Sequence, residues 1–105
     1  MIKEIAGKEE FDQALKSDLP VLAVFYASWC APCKMQAPIL YEFLKAASDK
    51  VQIIKIDVDA NAETASEYGV DSIPTLVLFV GSAEKERRVG LTSRSELSDM
   101  LIRYL

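Results

Sequence analysis

Cys30 and Cys33, the only cysteines among 105 residues, are separated by two residues and follow directly on an apolar run. That run, Val21 to Tyr26, does not alternate between apolar and polar residues, as expected of a strand covered on both faces in a parallel sheet. Beyond Cys33, Leu40, Phe43, Leu44 and Ala47 recur on one stripe at helical spacing. The pair therefore stands where a strand hands over to a helix. A helix start presents unpaired backbone N–H groups and the positive end of the peptide dipoles, and both favour a thiolate over a thiol. An accessible thiolate with a second sulfur one helical turn away is suited to reversible dithiol/disulfide exchange.

The rest of the chain supplies the frame. Met1 to Ala6 reads as a short first strand, and Phe11, Ala14, Leu15 and Leu19 predict a helix closed by Pro20. Pro38 lies inside the helix that follows the cysteines, removes one backbone donor and predicts a kink. Val51 to Val58 is a β-rich run interrupted by Lys55, and Asn61 to Tyr68 reads as a short helix stopped by Gly69. Thr75 to Val80 is a strongly apolar strand. Gly81-Ser82 turns it back into Glu84 to Val89, polar enough for an edge strand. Ser93-Arg94-Ser95-Glu96 is a capping box opening a last helix with Leu97, Met100, Leu101 and Tyr104 on its core side. The order β-α-β-α-β-α-β-β-α predicts an α/β domain over residues 1–105. Its central mixed sheet has parallel strands joined by right-handed crossovers and a closing antiparallel hairpin.

Several functions are set aside on composition and spacing. The net charge is −4 and the cations are scattered, which argues against nucleic acid or an anionic membrane as partner. The opening residues Met1-Ile2-Lys3-Glu4 carry charge where a signal peptide needs an apolar core, so the expected location is cytoplasmic. Tetrahedral zinc needs four ligands, and a chain with two cysteines and no histidine cannot close such a site alone; a metal shared by two chains is the rival. A structural staple is a weak reading, because so short a loop removes little unfolded-state entropy. Gly7, Gly69, Gly81 and Gly90 are isolated, so no dinucleotide or phosphate loop is present, no cofactor is expected, and electrons must come from another protein.

In Trp29-Cys30-Ala31-Pro32-Cys33-Lys34, Pro38, Lys55, Asp59, Ile73-Pro74-Thr75 and Gly90 the chain resembles the thioredoxin family over nearly its whole length. The resemblance implies a thioredoxin-like fold and a monomeric protein-disulfide reductase acting on disulfide-containing client proteins. It also implies a thioredoxin reductase drawing on NADPH, flavin or ferredoxin as electron donor. An oxidase or isomerase, and a redox-idle interaction module, are the alternatives. By position, Cys30 is the exposed nucleophile and Cys33, one turn inside, the shielded resolving thiol.

Pro32 suits the first helical turn, where its missing donor costs nothing. Ala31 replaces the glycine that the family usually carries there. The resemblance further implies that Pro74 is cis, faces the cysteines and offers the Ile73 backbone to an extended client segment. With Trp29, Val89, Gly90 and Leu91 it would form a flat, mostly apolar docking patch. Val24 occupies the position of a buried acid held to manage the resolving cysteine's proton. Lys55, that acid's usual neighbour, is kept. Lys55 either reaches solvent past its alkyl stem or lies close enough to tune the cysteines by charge. Asp57 and Asp59 end a strand and are expected to face water.

Overall fold

A computed structural model describes residues 2–105. The elements are β1 (Ile2–Glu4), α1 (Lys8–Ala14), β2 (Val21–Tyr26), α2 (Ala31–Ala47), β3 (Gln52–Asp57), α3 (Ala62–Glu67), β4 (Thr75–Val80), β5 (Ala83–Val89) and α4 (Arg94–Ile102). They form one five-stranded sheet in the order β1-β3-β2-β4-β5. β1 and β2 run parallel to β3, whereas β4 runs antiparallel to β2 and to β5. The α/β order and mixed sheet expected from the sequence are both present.

The unbroken apolar run of β2 has a direct structural cause. Leu22 and Val24 point into a core shared with Leu40, Phe43, Leu97 and Leu101 of α2 and α4. Val21, Ala23 and Phe25 point into the opposite core, with Phe11, Leu15 and Ala65. With both faces covered, a central strand has no solvent side on which to place polar residues. Edge strand β5 is only half covered, and its sequence is correspondingly charged.

The first helix differs from expectation. α1 ends at Ala14; Lys16 and Ser17 donate backbone bonds to the Gln13 and Ala14 carbonyls, and Leu19 lies outside the helix, its N–H bonded to Ser17 Oγ. Leu19 shares the spacing but not the helix, because the chain must turn before Pro20 to enter β2. α2 continues through Pro38 as one helix of 17 residues.

Helix α3 closes in a Schellman arrangement. The Gly69 N–H bonds the Ser66 carbonyl at 3.0 Å and the Val70 N–H bonds the Ala65 carbonyl at 2.9 Å, with Gly69 at φ 66°. Ser93 and Glu96 form the expected reciprocal capping box at the start of α4. Asn61 stitches three segments together. Its Oδ1 accepts from the Gly7 N–H at 2.8 Å, and its Nδ2 donates to the Asp57 and Ile5 carbonyls at 2.9 and 3.4 Å. The net effect is to tie the chain just after β1 to the end of β3 and the start of α3.

Candidate active site at the start of helix α2

Strand β2 delivers the chain to Ala27, and residues 27–30 turn it into α2. Cys30 is the N-cap residue, with φ −90° and ψ 112°, and the Cys33 backbone N–H donates to Cys30 Sγ at 3.3 Å. This places the sulfur where an N-cap oxygen usually sits, accepting from one of the helix's unpaired donors. Such a bond, together with the peptide dipoles, stabilises negative charge on Cys30 when the disulfide is open. Ala31 and Pro32 occupy the first turn and face solvent, and the proline ring removes a donor that has no helical partner there. Cys30 and Cys33 are joined as a disulfide, with Cα atoms 5.2 Å apart.

The expected difference in exposure between the two cysteines is not present in this disulfide form. Cys30 is 5 % and Cys33 8 % exposed, so Cys30 does not project from the surface. The reason is local packing: both sulfurs lie in a small cluster with Ala27, against Tyr26, Val58 and Ile73. Cys30 Sγ is therefore covered by side chains from three segments.

One of these segments is Ile73–Pro74, whose peptide bond is cis. The Ile73 carbonyl oxygen lies 3.8 Å from Cys30 Sγ. Pro74 itself is buried and Ile73 half-buried, so the surface offered by this segment is Ile73. Trp29, Val89 and Leu91 are exposed at 68, 63 and 44 %. Gly90, half-buried, adopts φ 93° and donates its N–H to the Pro74 carbonyl at 2.8 Å, which ties the two sides together. Trp29 is held out of the core by a bond from its indole Nε1 to Asp59 Oδ2 at 2.8 Å. Asp59 faces water as expected, but its partnership with Trp29 spans 30 positions of sequence and no local pattern signals it.

Val24, 2 % exposed, is a packed core residue, and its register partner on β3 is Lys55. The Lys55 ammonium sits 4.2 Å from the centre of the Tyr26 ring, a cation–π contact. Its side chain lines a shallow cleft with Tyr26, Ala27, Ser28, Cys33, Lys34 and Ala37. Lys55 is half-buried, with its ammonium over the Tyr26 ring and its side chain in the same shallow cleft as Cys33. The Tyr26 hydroxyl donates to Glu4 Oε2 at 2.8 Å, and burial, followed by this carboxylate, pushes the phenol well above its ordinary value. Among the described residues no cluster of three or more metal-ligating side chains occurs.

Buried Gln36 stands one turn beyond Cys33 on α2, and sequence reasoning passed over it. It is 1 % exposed, between Cys33 and Leu40 on the inner face of α2, and binds the backbone of Thr92. A polar residue interrupting an apolar helical stripe was the available signal.

Comparison with known proteins agrees with this geometry. Residues 3–103 match the family model described as Thioredoxin. A thioredoxin from Rickettsia prowazekii is 41 % identical over 101 residues, covering 96 % of both chains. One from Alicyclobacillus acidocaldarius is 46 % identical over 91 residues, covering 87 % of both. Among solved structures, a mutant thioredoxin from Halobacterium salinarum superimposes with a TM-score of 0.91 at 38 % identity, covering 98 % of this chain and 89 % of that one.

Proposed function

The chain belongs to the thioredoxin family and is a protein-disulfide reductase, and on that premise we propose that Cys30 attacks the client and Cys33 resolves the intermediate. The Cys30 thiolate attacks one sulfur of a client disulfide. That S–S bond breaks, a mixed disulfide forms, and the departing client thiolate takes up a proton. Cys33, on losing its own proton, attacks Cys30 Sγ; the second client thiolate leaves and is protonated, and Cys30 and Cys33 end as a disulfide. Two electrons have passed from the dithiol to the client; Cys33 has given up one proton, and solvent supplies the second that the two client thiols need.

The observation that carries this assignment is the bond from the Cys33 N–H to Cys30 Sγ at the mouth of α2. It selects Cys30 as the sulfur whose anion the helix stabilises.

In this reading Trp29, Ala31, Pro32, Ile73, Val89, Gly90 and Leu91 form the docking surface, with Pro74 as its buried support. Lys55 acts on the Cys33 proton by charge, without the acid that Val24 replaces. The whole chain works as one domain and as a monomer, in the cytoplasm, carrying electrons from a thioredoxin reductase to clients. No helix among the described residues is long and apolar enough to cross a membrane.

The decisive experiment uses insulin reduction by dithiothreitol and covalent trapping together. Cys30→Ser should abolish catalysis, and Cys33→Ser should accumulate client linked through Cys30. Catalysis surviving in Cys30→Ser, or trapping at Cys33 in preference to Cys30, would overturn the assignment.

A further inference from the structure

Gln36 makes an unusual use of a buried position. Its Nε2 donates to the Thr92 carbonyl at 2.9 Å, and its Oε1 accepts from the Thr92 N–H at 2.8 Å. The pairing resembles a rung of a β-ladder made by a side chain, and it fixes the amide's orientation, since the reverse would oppose two donors and two acceptors. Both residues are buried, at 1 and 2 % exposure. The inner face of α2 is otherwise Cys33, Leu40, Phe43 and Ala47. An apolar side chain here would leave the buried Thr92 N–H and carbonyl without partners, a desolvation cost that the amide offsets. What an amide adds is direction.

Thr92 lies at the end of a connected set of contacts. Its Oγ1 donates to the Gly90 carbonyl at 3.1 Å, the Gly90 N–H bonds the Pro74 carbonyl at 2.8 Å, and the adjoining Ile73 carbonyl lies 3.8 Å from Cys30 Sγ. Gln36 closes the circuit, because it stands on the same helix and the same face as Cys33. The three segments are thus tied in sequence, α2 to the Gly90–Thr92 segment through the Gln36 side chain and that segment to Pro74 through the Gly90 N–H.

We propose that Gln36 is a positioning residue for client docking: its carboxamide clasps the Gly90–Thr92 segment to α2 and sets the docking surface on which a protein disulfide meets Cys30. The inference deepens the docking reading given above and rests on it. A small disulfide that needs no docking surface is indifferent to the clasp, whereas an extended polypeptide is not.

The test compares insulin with a small aromatic disulfide, 5,5′-dithiobis(2-nitrobenzoate), both with full-length protein. Gln36→Met keeps the volume and removes both bonds. It should raise KM for insulin about ten-fold, the weight of roughly one buried hydrogen-bonded pair, with kcat and the small-disulfide rate within about two-fold. Gln36→Glu supplies the rescue. As a neutral acid it offers one donor and one acceptor in the same places, and as an anion it offers none to the Thr92 carbonyl. Its KM for insulin should match wild type at low pH and rise as the acid ionises, while the wild-type profile lacks that step. Should Gln36→Met not fold, the pH profile of Gln36→Glu decides alone. Unchanged KM in these variants, or an equal fall for both substrates, would overturn the clasp. Failure of the wild type itself to reduce insulin would instead remove the docking reading on which it stands.

Discussion

Replacing Val24 by aspartate restores the acid usual in the family and is the sharpest probe of how dry the floor of this site is. Val24 is 2 % exposed among Leu22, Leu40 and Leu76, so the change first forfeits most of a buried valine, about 2 kcal/mol. A carboxylate there is then desolvated, which favours its neutral form and raises its folded-state pKa above the unfolded value of about 3.9. A rise of about three pK units corresponds to ~4 kcal/mol at 1.36 kcal/mol per unit. The sign follows from linkage. Below about pH 4 the acid is neutral in both states and only the packing loss of about 2 kcal/mol remains. As pH rises above the unfolded pKa the penalty grows, and it levels off near about 6 kcal/mol once pH exceeds the raised folded pKa, a large share of the stability of a small domain. Urea denaturation of the oxidised protein at pH 4 and pH 9 measures both limits. The same variant should release trapped clients faster, because Cys33 gains a nearby base; quenched-flow alkylation reads that rate. A loss below about 1 kcal/mol that does not change with pH would refute the reasoning. It would mean that water, or a Lys55 that has left the Tyr26 ring, solvates the position. Unchanged release kinetics would separately remove the acid's assigned role.

Asn61→Ala should cost about 2–3 kcal/mol in denaturant titrations, since it strips partners from the Gly7 N–H and from the Ile5 and Asp57 carbonyls at once. Gly69→Ala should cost about 1–2 kcal/mol from the left-handed backbone alone, because a Cβ there meets nothing within 4 Å. Glu86 accepts from Arg103 and from the Tyr104 hydroxyl, and these bonds, Arg103's first, hold its carboxyl below the usual range. Its contribution is therefore present above the ordinary glutamate pKa and lost as pH falls through the depressed folded value. Glu86→Gln should accordingly lower Tm at pH 7 and converge on wild type in acid, as followed by calorimetry.

Much of the active end was legible in local pattern. The apolar run of β2, the cysteine pair behind it and the helical stripe after it place a sulfur at a helix N-terminus by covalent proximity alone, since a strand that ends and a helix that begins leave no other site for Cys30. The capping box at Ser93 and the glycine stop at Gly69 were readable for the same reason: a cap is made by residues within one turn. Leu19 shows where local pattern fails, because spacing records which side chains are buried but not whether the helix still runs between them. Burial of Cys30 could not be read at all, for its cover is Tyr26, Val58 and Ile73, brought in by three separate segments.

The amino-acid order alone thus determined the fold class, the redox pair and the chemistry open to it, because these depend on periodicity and on neighbours in the chain. Only the tertiary structure decided that Trp29 is held by Asp59, that Lys55 lies over the Tyr26 ring, and that Gln36 bonds Thr92. Those contacts join residues 29 to 56 positions apart, and their geometry is set by the register of β2, β3 and β4. No window of sequence contains that register; it exists only once the sheet has formed.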